Sequence, residues 1–213
     1  MFVPEIFLFN TCQSILKLFK EDYQQTLDKK QTLLWILFED CKVDKTDYFE
    51  EAVRLISLPL TSQRSPQVRL FFDLSRATLP TIHINLPGEQ KGPTDSIGNR
   101  GIGNYEDSIE GFSRAGLNIS QQTTYSLIIT SDAPMEVLIL YYILKAGLLS
   151  VQDHLSNVGF NNIVLGGQDI IPNMEMQGVF MRTISISGFY EMNIPQFNKE
   201  KIITGLKFTG LVI

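Results

Sequence analysis

The residue types that do most enzyme chemistry are scarce in this chain. Two of its 213 residues are histidines and two are cysteines. His83 and His154 cannot make a zinc site alone, since such a site needs three or four convergent ligands, and no acidic or thiol neighbours complete one. His83 falls on the polar side of an alternating run, and His154 on a helix surface. Cys12 and Cys41 fall in helical patterns without a nearby base, and no Gly-x-Ser-x-Gly nucleophile elbow occurs. Two cysteines in a chain of this length are no disulfide framework; they read as buried thiols in a reducing compartment. The acidic pairs Asp40 with Asp44, Glu50 with Glu51, and Glu106 with Asp107 read as solvated charge clusters. One stretch, Gly98-Asn99-Arg100-Gly101-Ile102-Gly103, has the glycine content of a phosphate cradle. A cradle needs its glycines after a strand and opening a helix, so that backbone N–H groups meet the anion. Here no Gly-Lys-Ser/Thr follows, and Glu106, Asp107 and Glu110 would repel phosphate. The stretch reads as a surface or interface loop. No catalytic residue, cofactor or metal site emerges, and the expectation is a protein that is not an enzyme.

The elements around these residues are more legible. Apolar residues at three- and four-residue steps predict a helix over 4–27, with a stripe through Ile6, Phe9, Cys12, Ile15, Leu16 and Phe19. Phe2, Phe7, Phe9 and Phe19 read as core rather than as a stacking platform, because only Lys17 and Lys20 lie among them. Further helices are expected over 30–42 and 46–58, the latter capped by Thr46 and stopped by Pro59. Strands are expected over 68–74 and 79–86, with Ile82, Ile84 and Leu86 on one face and Thr81, His83 and Asn85 on the other. A long glycine-rich loop follows over 87–107, and loops above about 12–15 residues are usually functional or disordered. The stretch 109–119 is ambiguous between loop and a strand re-entering the sheet. The best-patterned unit is 123–192: a strand to Ser131, one helix over 132–157 capped by Asp132 and closed by Gly159, then strands over 160–165 and 177–190. Residues 202–213 form an apolar, strand-like tail that must bury on something.

The expected fold class is therefore α+β: N-terminal helices followed by a mostly antiparallel sheet packed against one long apolar helix. The expected division is a helical region 1–60, an α+β core 61–195 carrying the loop 87–107, and a hydrophobic tail 196–213, all in one structural domain. A net charge of −5 with a pI near 5.1 argues against a dedicated nucleic-acid binder and against docking on anionic membranes. The longest apolar run, Val137–Leu149, contains Lys145 and falls short of the ~20 residues a membrane helix needs. Met1–Phe9 lacks a basic leader and carries Pro4 and Glu5, a poor signal peptide.

The run YSLIITS, then DAPMEVLILYYILKAGLLSVQDHL, SNVGFNNIVLGG and QGVFMRTISISGFYE, resembles the C-terminal half of tailed-bacteriophage tail-terminator and head–tail joining (neck) proteins. The resemblance spans about Thr123–Glu191, a third of the chain, and is one of pattern without a catalytic signature. It implies a virion structural protein, assembled in the host cytoplasm, whose ring connects the capsid portal to the tail around the DNA channel. Implied partners are further copies of the chain, neighbouring portal, neck or tail proteins, and double-stranded DNA that passes without specific binding. No membrane is involved. An acidic protein suits a channel through which DNA slides, because like charge suppresses phosphate contacts. Ring contacts in that family come from sheet edges, tails and long loops. Carried onto this chain, they point to Gly88, Gly92, Ile97, Gly98, Arg100, Gly101, Ile102 and Gly103 in the loop, and to Ile202, Ile203, Leu206, Phe208, Leu211 and Ile213 in the tail. The helical front end and the glycine loop are larger than the family plan requires. The competing expectation is a small non-viral α+β ligand-binding or regulatory domain, dimeric through its C-terminal strand.

Overall fold

The computed structural model describes residues 3–59, 61–71, 78–91, 105–109, 112–157, 159–170 and 178–195. The architecture is α+β, with an N-terminal helical region followed by a six-stranded sheet.

Helix α1 (Pro4–Gln25) begins with proline in its first turn, where the missing N–H costs nothing. It buries Leu8, Cys12, Ile15 and Phe19, so the core stripe runs through Leu8; Ile6, expected on the stripe, is exposed. A single 3-10 turn (Lys29–Gln31) leads into α2 (Leu33–Phe38), much shorter than the expected 30–42. Thr32 caps α2 by accepting from the Trp35 N–H at 3.3 Å, and the Asp22 carboxylate accepts from Leu33 N–H at 2.7 Å, tying α2 to α1. The region is not purely helical. A small hairpin pairs β1 (Lys42–Val43) with β2 (Thr46–Asp47), and Asp44 takes φ 55° at its turn. Thr46 lies in β2, so the cap of α3 (Tyr48–Ile56) is Asp47 instead. Its carboxylate accepts from the Phe49 and Glu50 N–H groups, and Lys42 at 3.0 Å holds it below the usual carboxylate range.

The sheet order is β3 (Gln67–Leu70), β4 (Thr81–Lys91), β6 (Phe112–Ser131), β8 (Phe180–Pro195), β7 (Phe160–Ile170). The β3–β4 pair is parallel and the other neighbours are antiparallel. β5 (Tyr105–Ile109) joins the far half of β6, past the point where β4 ends. Of the expected loop 87–107, residues 87–91 belong to β4 and 105–107 to β5, and 92–104 lie outside the described residues. β4 stays in the sheet past Pro87 through a register shift between Asn85 and Gly88, a bulge that absorbs the residue unable to donate to the ladder.

Helix α4 (Pro134–Ser150) lies on β6 and β8 and is covered by α1 and α3. It buries Val137, Ile139, Leu140, Ile143, Leu144 and Leu148 against Ile82, Ile84, Tyr125, Leu127, Ile129, Ile184 and Ile186 of the sheet. One core thus draws on both the helical region and the sheet. Two details differ from the sequence reading. The helix expected over 132–157 is interrupted at Val151, and α5 (Gln152–Asn157) is a separate element packed on β7. Cover is also incomplete, since Tyr142 and Leu149, seven residues apart on one stripe, remain 45% and 51% exposed. Gly159, at φ 110°, closes α5 as expected.

Lengths set the overall proportions. At ~1.5 Å per helical residue α4 spans about 26 Å. At ~3.3 Å per strand residue the 20 residues of β6 span about 66 Å. The β5–β6–β8 half of the sheet is therefore an arm reaching beyond α4.

Candidate functional site

Three places gather polar or open surface. The first is an ionic cluster where the helical region meets the core. Glu136, in the first turn of α4, is 3% exposed. Its carboxylate accepts from Arg64 Nη2 at 3.1 Å and from Ser131 Oγ at 2.6 Å, with Arg54 Nη2 at 3.8 Å. Arg64 also donates to Asp132 at 2.8 Å and holds its carboxyl below the usual range. Asp132 thus serves the arginine and not the helix cap; Ala133 occupies the cap position, and its N–H donates to Ser131 Oγ. Chemically the cluster is quiet. The Ser131 proton is already given to Glu136, and the carboxylate is saturated by arginines, so there is neither a free nucleophile nor a base. It fastens the connection after α3 and the end of β6 to the start of α4.

The second place lies where α1 begins over the sheet. Tyr190 Oη donates to Glu89 at 2.5 Å. Burial, then this hydrogen bond, pushes the Tyr190 hydroxyl well above its ordinary pKa. Tyr125 is fully buried beside it and shifted the same way, first by burial. Raised tyrosine pKa values keep both rings neutral, so they serve as packed hydroxyls and not as phenolate bases.

The third is a groove of about 620 Å³ between α1 and β3, lined by Leu16, Lys17, Lys20, Ile56, Pro66 and Val68 among others. Its floor is apolar, and on the α1 side its rim is polar, with Lys17 paired to Glu21 at 3.6 Å and Lys20 donating to Leu58 O.

Among the described residues no three His, Cys, Asp or Glu side chains converge as a metal site would require. His83 does lie on the expected strand face, but it is fully buried there, with Nδ1 3.1 Å from Phe71 O and Nε2 3.4 Å from Thr130 Oγ1. It joins the end of β3 to the sheet. His154 is exposed on α5, its ring 6.3 Å from that of Phe7. The cysteines divide, against the expectation of two buried helical thiols. Cys12 is buried in α1 and its thiol is pushed up to about 12 by burial, whereas Cys41 follows α2 and is exposed. A thiol reagent added to the native protein at neutral pH should therefore label one cysteine per chain, at position 41, and reach Cys12 only on unfolding. Two rapid equivalents would show that the α1 core is open.

Of the residues expected at an interface, Gly88 is in β4, paired with Thr124, and a side chain there would meet open space. Gly92, Ile97, Gly98, Arg100, Gly101, Ile102 and Gly103 in the loop, and Ile202, Ile203, Leu206, Phe208, Leu211 and Ile213 in the tail, lie outside the described residues. The groove and the ionic cluster were missed from sequence. Arg64 and Glu136 are 72 positions apart, and only the fold makes them neighbours.

No protein-family model matches the chain, and no curated protein matches its sequence. No described helix is long and apolar enough to cross a membrane.

Proposed function

We propose that the chain is a structural subunit of a ring, of the kind that completes a phage neck or tail around a DNA channel, and that it works by packing and without catalysis. The observation that carries this reading is the arm. β6 pairs with β8 from Ser131 to Gly116, far beyond the length α4 can cover, and β5 extends the pairing. Past Gln121, where β4 ends, β6 pairs with β8 alone as far as Gly116 and with β5 alone beyond it, and a two-stranded ribbon is marginally stable by itself and gains stability by packing on something else. A neighbouring subunit supplies that surface in a ring, where a heterologous contact closes on itself. The exposed Tyr142–Leu149 stripe and the apolar tail 202–213 add surface of the same kind. The polar clusters are consistent with this role, because each is spent on holding elements together.

The test is mass in solution combined with negative-stain imaging of the purified full chain. A closed ring of defined subunit number is the expected result, with burial of roughly 1,000 Å² or more per contact. Deleting Ile202–Ile213 should abolish the ring while leaving the far-ultraviolet spectrum and cooperative unfolding intact. A chain that stays monomeric or dimeric, alone and when mixed with portal or tail proteins, would refute the proposal. A dimer that also takes a small ligand in the α1–β3 groove would favour a regulatory binding domain instead.

A further inference from the structure

Two hydroxyls where α1 begins over the sheet are left without partners. Strand register lines up Glu89 of β4, Thr123 of β6 and Gly188 of β8 in one row, with Tyr125 and Tyr190 each two residues away on the same face. That face is the one the helices cover, since Tyr125, Leu127 and Ile129 all lie in the core. Tyr190 Oη donates to Glu89 across β6. Glu5, in the first turn of α1, adds a second carboxylate, and the charges of Glu5 and Glu89 both act on the Tyr125 and Tyr190 hydroxyls. Thr123 is 1% and Tyr125 0% exposed, yet Thr123 Oγ1 and Tyr125 Oη have no hydrogen-bond partner among the described residues. A buried hydroxyl with no protein partner is costly, so such groups mark places where a water or an ion completes the bonding.

We propose that this cluster binds a calcium ion between the Glu5 and Glu89 carboxylates, with Thr123 Oγ1 and Tyr125 Oη as neutral ligands. The chemistry of the donors selects the ion. All are hard oxygens, without the imidazole or thiolate that zinc and copper favour. Calcium takes about six to eight oxygens in flexible geometry, neutral groups and water among them, so two carboxylates suffice and three converging acidic residues are not required. The two carboxylates balance its charge and outweigh the roughly half positive charge at the start of α1. Magnesium demands near-ideal octahedral geometry and keeps most of its waters, which suits side chains fixed on strands and a helix less well. Water alone can complete the hydroxyls, but two carboxylates acting on the same hydroxyls favour a cation there over a neutral molecule. The ion joins the start of α1 to β4 and β6, beside Glu89, two residues before β4 ends at Lys91. It thus fastens the helical region to the root of the arm, whether or not the chain forms a ring.

Terbium replaces calcium on oxygen ligands and emits when a nearby tyrosine is excited, so it tests the site in the full-length chain. Saturable emission, displaced by calcium and much less by magnesium, is the expected result. Glu5→Gln and Glu89→Gln each remove one charge and keep the shape, and each should weaken terbium binding about tenfold. Glu89 is exposed, and glutamine there still accepts from Tyr190, so Glu89→Gln should fold even if Glu5→Gln does not. Tyr125→Phe keeps the buried ring, removes only the hydroxyl, and should weaken binding several-fold. Calcium should raise the thermal midpoint of the wild-type chain, and the rise should vanish when both carboxylates are replaced. Emission of equal affinity in the carboxylate variants would put the ion elsewhere on this acidic chain and overturn the proposal. An absence of emission, with a midpoint indifferent to calcium, would overturn it as well and leave the hydroxyls to water. Magnesium competing as well as calcium would overturn the choice of ion.

Discussion

Gly147→Val should lower the free energy of unfolding by about 3 kcal/mol, at the upper end of the usual cost of overpacking. Gly147 sits where α4 crosses α1. A β-carbon there would come 2.5 Å from Ile15 Cγ2, 2.7 Å from Cγ1 and 2.8 Å from Cδ1. Ile15 is buried and β-branched, so in a helix it has essentially one rotamer and cannot swing aside. The helices must separate, and with them the cover that α1 provides over the apolar α4. Gly147→Ala isolates the clash. Alanine gains about 1 kcal/mol of helix propensity over glycine, so its net cost should be smaller, about 1–2 kcal/mol. Ile15→Ala combined with Gly147→Ala should be less destabilised than the two single changes summed, by about 1 kcal/mol or more, because the added methyl occupies space the isoleucine vacates. Chemical denaturation of the four proteins checks this. Simple additivity would mean that the two residues are not in contact.

Arg64→Ala should cost about 2–3 kcal/mol. Removing the partner of a buried charge typically costs 3–5 kcal/mol, and the half-exposed position of Arg64 lowers the figure. Ser131 and the more distant Arg54 remain to the Glu136 carboxylate, so the variant should fold. Its pH dependence distinguishes an ionic role from a packing one. The folded-state pKa of Asp132 is depressed, chiefly by the Arg64 hydrogen bond. A depressed carboxylate contributes stability above its unfolded value near ~3.9 and loses it as the pH falls through the folded value. The gap between wild type and Arg64→Ala should therefore be full at neutral pH and narrow below about pH 4. A gap independent of pH would assign the loss to the arginine's carbon chain.

Local pattern in the sequence was enough for the main elements and for the α+β class, but it missed the β1–β2 hairpin and the strand residues 87–91 and 105–107. Period-two alternation marked β4 and β8, three- and four-residue steps marked α1, and the unbroken apolar run Val137–Leu144 marked α4. Gly159 announced the helix end because only a left-handed residue closes it cheaply. Where two neighbouring residues were both suitable, sequence chose wrongly. Thr46 and Asp47 can each cap α3, and the β1–β2 hairpin decides for Asp47 by taking Thr46 into a strand. Asp132 looks like a cap until Arg64 claims it.

The layout of the sheet depends on the tertiary structure for a different reason. That β3 and β7 end the path of strands, and that Pro195 pairs with Gly116 at the end of β6 far from β3, are facts of strand order and register, which nearest-neighbour patterning does not carry. The same holds for Gly147 against Ile15, 132 positions apart. Sequence alone determined which segments are the most apolar, the tail 202–213 among them, because hydrophobicity belongs to the residues themselves. Only the fold determined which strands end the sheet, because an edge exists only once every other strand has found its neighbour.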